Sequence, residues 1–175
     1  VRDHKQTHPI LYLKKIITMS ITETNRLEEL SGSKFEIANG EPDIRHWEVE
    51  DLQGNKLGKV DDLLFNPASR RVRYLVINLK GNRVGLIDRK VLFPVGVAII
   101  HEKDDTVLLP EVTPAQISIL PFYEKGVIVT PETEEDIRNV FVSPESRMTD
   151  SDFYDHDQFS QERLYGSRAP RDNRV

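Results

Sequence analysis

The sequence predicts a mainly β fold, a small antiparallel β-barrel followed by short C-terminal helices, and three observations carry that expectation. Between about Asp43 and Leu120 the apolar residues arrive in short runs separated by turn residues. Within the runs they alternate with polar residues or are β-branched, as in VRYLVINL at 72–79, which is the pattern of strands. The first three runs, at 46–51, 57–65 and 72–79, follow one another too closely for crossover helices, so neighbouring strands should be antiparallel.

The elements follow in order. HWEVED at 46–51 places Trp47 and Val49 on one face and Glu48 and Glu50 on the other, the signature of a half-buried strand. Gly54-Asn55 supplies a hairpin turn into the second strand at 57–65, and Asn66-Pro67-Ala68-Ser69 turns the chain into the third at 72–79. The Lys80-Gly81-Asn82 turn predicts a fourth strand over 83–87, and a fifth runs from Val91 through Phe93, Val95 and Val97 to Ile100. His101 to Asp105 reads as a charged turn before a sixth strand at 106–109. Six short strands without cover from long helices must close or stack, hence a small barrel or a tight sandwich.

Thr113-Pro114-Ala115-Gln116 combines an N-cap, a proline at the first helical position and a capping-box glutamine, so a short helix starts there and ends at Pro121. Thr130-Pro131-Glu132 repeats the start signal. The acids Glu132, Glu134, Glu135 and Asp136 then lie toward the positive end of that helix, and Ile137, Val140 and Phe141 form its packing face.

The flanks differ in composition. Residues 22–41 are polar and broken by Ser31-Gly32-Ser33 and Asn39-Gly40, an ordered lead-in at most. ILYLKKIITM at 10–19 is interrupted by Lys14 and Lys15 and falls short of the about 20 apolar residues that a membrane span needs. Its alternatives include a weak surface anchor or short signal-like region helped by Arg2 and Lys5, and a natural start at Met19 with the preceding eighteen residues upstream sequence or an appended segment. Beyond Ser143 the chain is a mixed-charge tail that nevertheless carries Phe153, Tyr154, Phe159 and Tyr165. These aromatics either dock back onto the domain or bind a partner, and plain disorder is the third alternative. The organisation is thus an N-terminal extension (1–42), a barrel domain (43–126), a short helix region (127–142) and a polar, aromatic-containing tail (143–175).

The chain's 175 residues fit one compact domain plus tails. With 24 basic and 29 acidic residues, the net charge of −5 lacks the overall cationic footprint of an autonomous nucleic-acid binder. The absence of cysteine removes disulfides, thiolate metal sites and a thiol nucleophile. No GxSxG elbow, HExxH helix or GxxxxGK[ST] phosphate loop occurs. Asp61 and Asp62 are strand neighbours facing opposite ways, a poor acid–base pair that reads as solvated strand and edge charge. His101 with Asp104 and Asp105, and His156 with Asp155 and Asp157, offer nitrogen and oxygen donors without a complete ligand spacing. No catalytic residue, metal or cofactor is therefore assigned. Gly54, Gly58, Gly81 and Gly85 read as scaffold. Arg70, Arg71 and Arg73 form the one compact basic cluster of the β region, with Lys80, Arg83, Arg89 and Lys90 nearby, and could meet phosphate or an acidic partner. The candidate partner-binding residues are Arg70, Arg71, Arg73, Arg83, Phe153, Tyr154, Phe159 and Tyr165.

Three segments carry a family resemblance: EPDIRHWEVEDLQGNKLGKVDDLLFNPASRRVRYLVINL, VLFPVGVAII and LLPEVTPAQISILPFYEKG. Together they resemble a PRC-barrel domain, the fold shared by the cytoplasmic part of the photosynthetic reaction-centre H subunit and the C-terminal domain of a ribosome maturation factor. G-x-x-x-G-K-V at 54–60 is common in isolation. Its combination with V-R-Y-L-V at 72–76, F-P-V-G at 93–96 and T-P-A-Q-I-S-I-L-P at 113–121 is similar to the reaction-centre version. The resemblance implies a PRC-type barrel without enzymatic activity or cofactor, a cytoplasmic adaptor or scaffold that binds a protein partner or self-associates. Two alternatives come with it: a ribosome- or RNA-associated maturation factor using the arginines, and a cytoplasmic accessory protein of a photosynthetic reaction centre.

Overall fold

A computed structural model describes residues 27–142 and 153–165 of the chain. The expectations for residues 10–19 and for a start at Met19 lie outside the described residues, as do the parts of the tail at 143–152 and 166–175.

The strands are β1 (Glu28–Glu29), β2 (Glu48–Glu50), β3 (Lys56–Asn66), β4 (Arg71–Asn78), β5 (Lys90–Pro94), β6 (Ile99–His101) and β7 (Thr106–Leu108), in one sheet ordered β5-β4-β3-β2-β7-β6. β3 is its spine. One edge pairs with β4 over most of its length, while the other pairs first with β2 and then, at Leu64 and Phe65, with β1. Close approach at this spine depends on Gly58, where a Cβ would lie 2.3 Å from the Asn78 carbonyl oxygen.

Most ladders are antiparallel, as the short turns predict, but β2 and β7 are parallel, with Glu48 opposite Thr106 and Glu50 opposite Leu108. The cause is a corner inside the run expected as a single strand from Val91 to Ile100. Pro94 has no N–H to extend the β5 ladder, and a 3-10 turn at Val95–Val97 separates β5 from β6. Directions fix the rest. β5 is antiparallel to β4 and so runs opposite to β2, and β6, antiparallel to β7, also runs opposite to β2. The chain therefore passes from one end of the sheet to the other without reversing, and the sheet must curl for residues 95–98 to bridge its two ends. Among the described residues no ladder joins β5 to β6.

The fourth strand expected over 83–87 is absent. Asn82 holds that stretch as a loop, its side-chain amide donating to the Leu79 and Leu86 carbonyls and its oxygen accepting from the Val84 and Leu86 N–H groups. The Asp pair also differs from expectation. A bulge between Val60 and Asp62 breaks the alternation of β3. Asp61 pairs with Lys90 at 2.7 Å, whereas Asp62 is 4 % exposed and accepts from the Ser31 and Leu63 N–H groups. Asp62 is thus a buried anchor for the lead-in and not a solvated charge.

Both predicted helices are present. In α1 (Pro114–Ile119) the Thr113 hydroxyl accepts from the Gln116 N–H while the Thr113 N–H donates to the Gln116 side chain. In α2 (Pro131–Phe141) the Thr130 hydroxyl accepts from the Thr133 N–H, and Ile137 is fully buried. The lead-in is more structured than its polarity suggests: Leu30 is buried, and Glu29 in β1 accepts from the Tyr123 hydroxyl at 2.6 Å and from the Gly126 N–H at 3.1 Å. Burial, then this bond to Glu29, pushes the Tyr123 hydroxyl far above its ordinary value.

Two outcomes test this account. Gly58→Ala should cost at least about 2 kcal/mol, read from urea midpoints, because strand backbone and not a flexible side chain must move aside. Tyr123→Phe should cost about 1–2 kcal/mol at neutral pH. A raised folded value stabilises fully below the unfolded one, near 10, and is lost above it. The substitution should therefore flatten the fall of the midpoint with pH on the alkaline side.

A candidate protein-interaction surface

The corner that bridges the two ends of the sheet is covered by residues 153–165, which form a 3-10 turn at Asp157–Phe159 and α3 (Gln161–Tyr165). Backbone contact comes first. At Gly96, in the corner, a Cβ would lie 2.2 Å from the Asp157 carbonyl oxygen and 2.7 Å from that of Gln158. Only a glycine lets this strap lie so close.

Aromatic packing comes next. The Phe159 ring, 2 % exposed, meets Tyr74 of β4 edge-on at 5.4 Å, Tyr154 at 5.0 Å and Phe153 at 5.4 Å, separations at which such pairs attract. The hydroxyls of Tyr74 and Tyr154 both donate to one carboxylate oxygen of Glu134, a buried residue of α2. Arg73 lies over the Tyr154 ring at 4.2 Å and Arg138 over the Phe153 ring at 5.1 Å, so two cations rest on the aromatic faces of the strap. The Glu162 carboxyl in α3 is held below its usual range by its own backbone N–H and the Ser160 hydroxyl, with a smaller pull from Arg71. The covered surface therefore combines an aromatic centre, two guanidinium groups on the aromatic faces and one carboxylate that accepts from tyrosine hydroxyls.

A second surface lies at the end of α1. Phe122 and Ile119 are each 68 % exposed. Arg89 donates to the Ile117 and Ser118 carbonyls at the end of the helix, and its guanidinium lies 4.6 Å from the Phe122 ring centre. A third feature is a cleft of about 580 Å³ between the lead-in and α3, where Phe35 packs on Phe65 at 4.8 Å and Arg70, Val72 and Tyr165 contribute to the wall.

The candidate residues are thus distributed over several places. Tyr154 and Phe159 share the aromatic cluster with Phe153, and Arg73 reaches it. Tyr165 lines the cleft beside the lead-in, while its neighbour Leu164 in α3 is buried. Arg70 sits in the turn between β3 and β4, in left-handed conformation (φ 56°), and Arg71 is exposed at the start of β4. Arg83 lies beyond the far end of β4, its N–H bonded to the Lys56 carbonyl. The four arginines do not form one patch. Sequence reasoning missed Gly96, Glu134, Arg138 and Gln158 as parts of this surface, and Arg89 with Phe122 as a neighbouring pair. A signal existed for the α2 residues, since Glu134 and Arg138 stand four apart and share one helix face.

Other polar groups are spread out as well. His101 Nδ1 lies 2.9 Å from Asp104, and His156 Nδ1 accepts from the Gln158 N–H. Among the described residues no three His, Asp or Glu side chains gather as metal ligands, and no helix is long and apolar enough to cross a membrane.

The curled, mixed sheet with short helices is consistent with a PRC-barrel-like fold. The PRC-barrel domain family model matches residues 40–115 of the chain. PRC-barrel domains are protein-interaction modules. The match covers the sheet from β2 to β7, while β1, α2 and the strap lie outside it. No curated protein matches the chain.

The strap's dependence on one missing Cβ is directly testable. Gly96→Ala should expose residues 153–165 to limited proteolysis while β3 and β4 keep their slow amide exchange. Unchanged cleavage would show that the contact at Gly96 is dispensable.

Proposed function

We propose that the protein is a non-enzymatic, cytoplasmic adaptor or scaffold that binds a protein partner through the surface at the end of α1. The observation that carries this reading is the exposure of Phe122 and Ile119 beside Arg89. Large exposed apolar side chains next to an arginine are costly in water and typical of the anchors that supply most interface energy. Arg89 is already oriented by two carbonyls, so a partner need not order it.

The distribution of titratable groups supports a role without catalysis. His101 lines a cleft beside β2 and β7, Glu111 lines another beside the corner, and Asp61 is paired with Lys90. These groups do not converge on one substrate-sized cavity, as acid–base chemistry requires. The dispersed arginines favour a protein over an RNA partner. The likeness in pattern to the reaction-centre H subunit gives the narrower form of the same reading, an accessory protein of such a complex.

Affinity capture from native extract at low and high salt tests the proposal, with Phe122→Ala run in parallel. A stoichiometric protein that survives high salt and is lost, by about tenfold or more in affinity, with Phe122→Ala is the expected result. Recovery of ribosomal particles alone, vanishing as salt rises, would overturn it in favour of the maturation-factor alternative.

A further inference from the structure

The strap buries a polar group that its own dock does not satisfy. Gln158 is 3 % exposed, and among the described residues neither its side-chain Nε2 nor its Oε1 has a hydrogen-bond partner. A buried amide in that state loses its bonds to water without replacement, which weakens whatever contact enforces the burial. The contacts beside it are specific: Gly96 clears room for the backbone, Phe159 packs edge-on to Tyr74, and one Glu134 oxygen takes the Tyr74 and Tyr154 hydroxyls. The groove is matched to an aromatic peptide, and at one position its resident occupant is the wrong one.

We propose that the groove over Gly96, Tyr74 and Glu134 is a peptide-binding site, that residues 153–165 are its intramolecular occupant, and that its partner is an acidic aromatic segment with an aliphatic residue at the Gln158 position. The groove sets each requirement. A tyrosine donates to Glu134 and lies under Arg73; a phenylalanine five residues later packs edge-on to Tyr74. Acidic residues between them, as at Asp155 and Asp157, suit a groove that carries the cations Arg73 and Arg138. The residue before the phenylalanine enters a position where the described residues offer its side-chain amide no hydrogen bond, and it is best aliphatic. The site is separate from the surface at the end of α1, so either can fail without the other.

The experiment uses the full chain carrying Phe159→Ala, which loosens its own strap, and two labelled synthetic peptides read by fluorescence anisotropy. One peptide has the sequence of residues 153–165 and the other the same sequence with Gln158→Leu. Both should bind the Phe159→Ala chain, the Gln158→Leu peptide about tenfold tighter, and neither should bind once Gly96→Ala is added. Hydrogen exchange on the unaltered chain keeps the test independent of those variants: amides of 157–165 should exchange well before those of β4. Equal affinity of the two peptides, binding that ignores Gly96→Ala, or strap amides that exchange only together with β4 would each overturn the proposal.

Discussion

The structure depends on a turn that does not reverse the chain. Residues 95–98 take the backbone from the flank of β4 to the flank of β7 while it keeps its direction, and three features follow from that one constraint. The sheet has to curl until its two ends lie a short turn apart. β7 has to lie parallel to β2, because the number of reversals between them is even. A gap in hydrogen bonding is left at the corner, and something has to cover it. The strap does so, and it can because Gly96 presents bare backbone there.

Burial around that corner is uneven in quality. Tyr74, Phe93 and Phe159 are packed with almost no exposure, and their contacts are of a kind that stabilises wherever it occurs. Gln158 is equally buried and gains nothing polar in return. The strap's turn satisfies part of its own backbone, with the Phe159 and Ser160 N–H groups donating to the His156 and Asp157 carbonyls, but its buried side-chain polar groups depend on partners in the domain. The strap manages this for Tyr154 through Glu134 and fails for Gln158. Its hold on the domain is correspondingly weaker than the aromatic contacts alone would make it.

Local signals in the sequence were read well. The capping box at Thr113–Gln116 and the Thr130-Pro131 start are contacts within one turn, so the residues that make them stand side by side. Strands β3 and β4 announced themselves by turns at Gly54-Asn55 and Asn66 and, in β4, by a β-branched run. The misreadings have long-range causes. The loop at 83–87 carries apolar residues like a strand, and the four bonds made by the Asn82 side chain help hold it out of the sheet. Asp62 looked solvated because a bulge cannot be seen in composition. The corner within 91–100 is continuous in apolar pattern, since both of its halves are buried, one against each end of the sheet. Phe153, Tyr154, Phe159 and Tyr165 stood out as anomalous in a polar tail, yet nothing in their spacing told which of them face Tyr74 and which the cleft beside Phe35. Phe122 and Arg89 are distant in sequence and meet only through the end of α1.

The parallel pairing of β2 with β7 also orders events in time. β3 and β4 are joined by a four-residue turn anchored on Asn66, whose side-chain oxygen accepts from the Ala68 and Ser69 N–H groups, and a hairpin of that kind forms in microseconds. Glu48 must wait for Thr106, from the other end of the matched domain, before β2 gains its second neighbour. Closing so long a loop is slow because its entropy is spent before any contact returns it. Until then β2 offers a bare edge, and a newly made chain is most exposed to pairing with the wrong neighbour at Glu48–Glu50, a strand whose two glutamates make it a poor template for association.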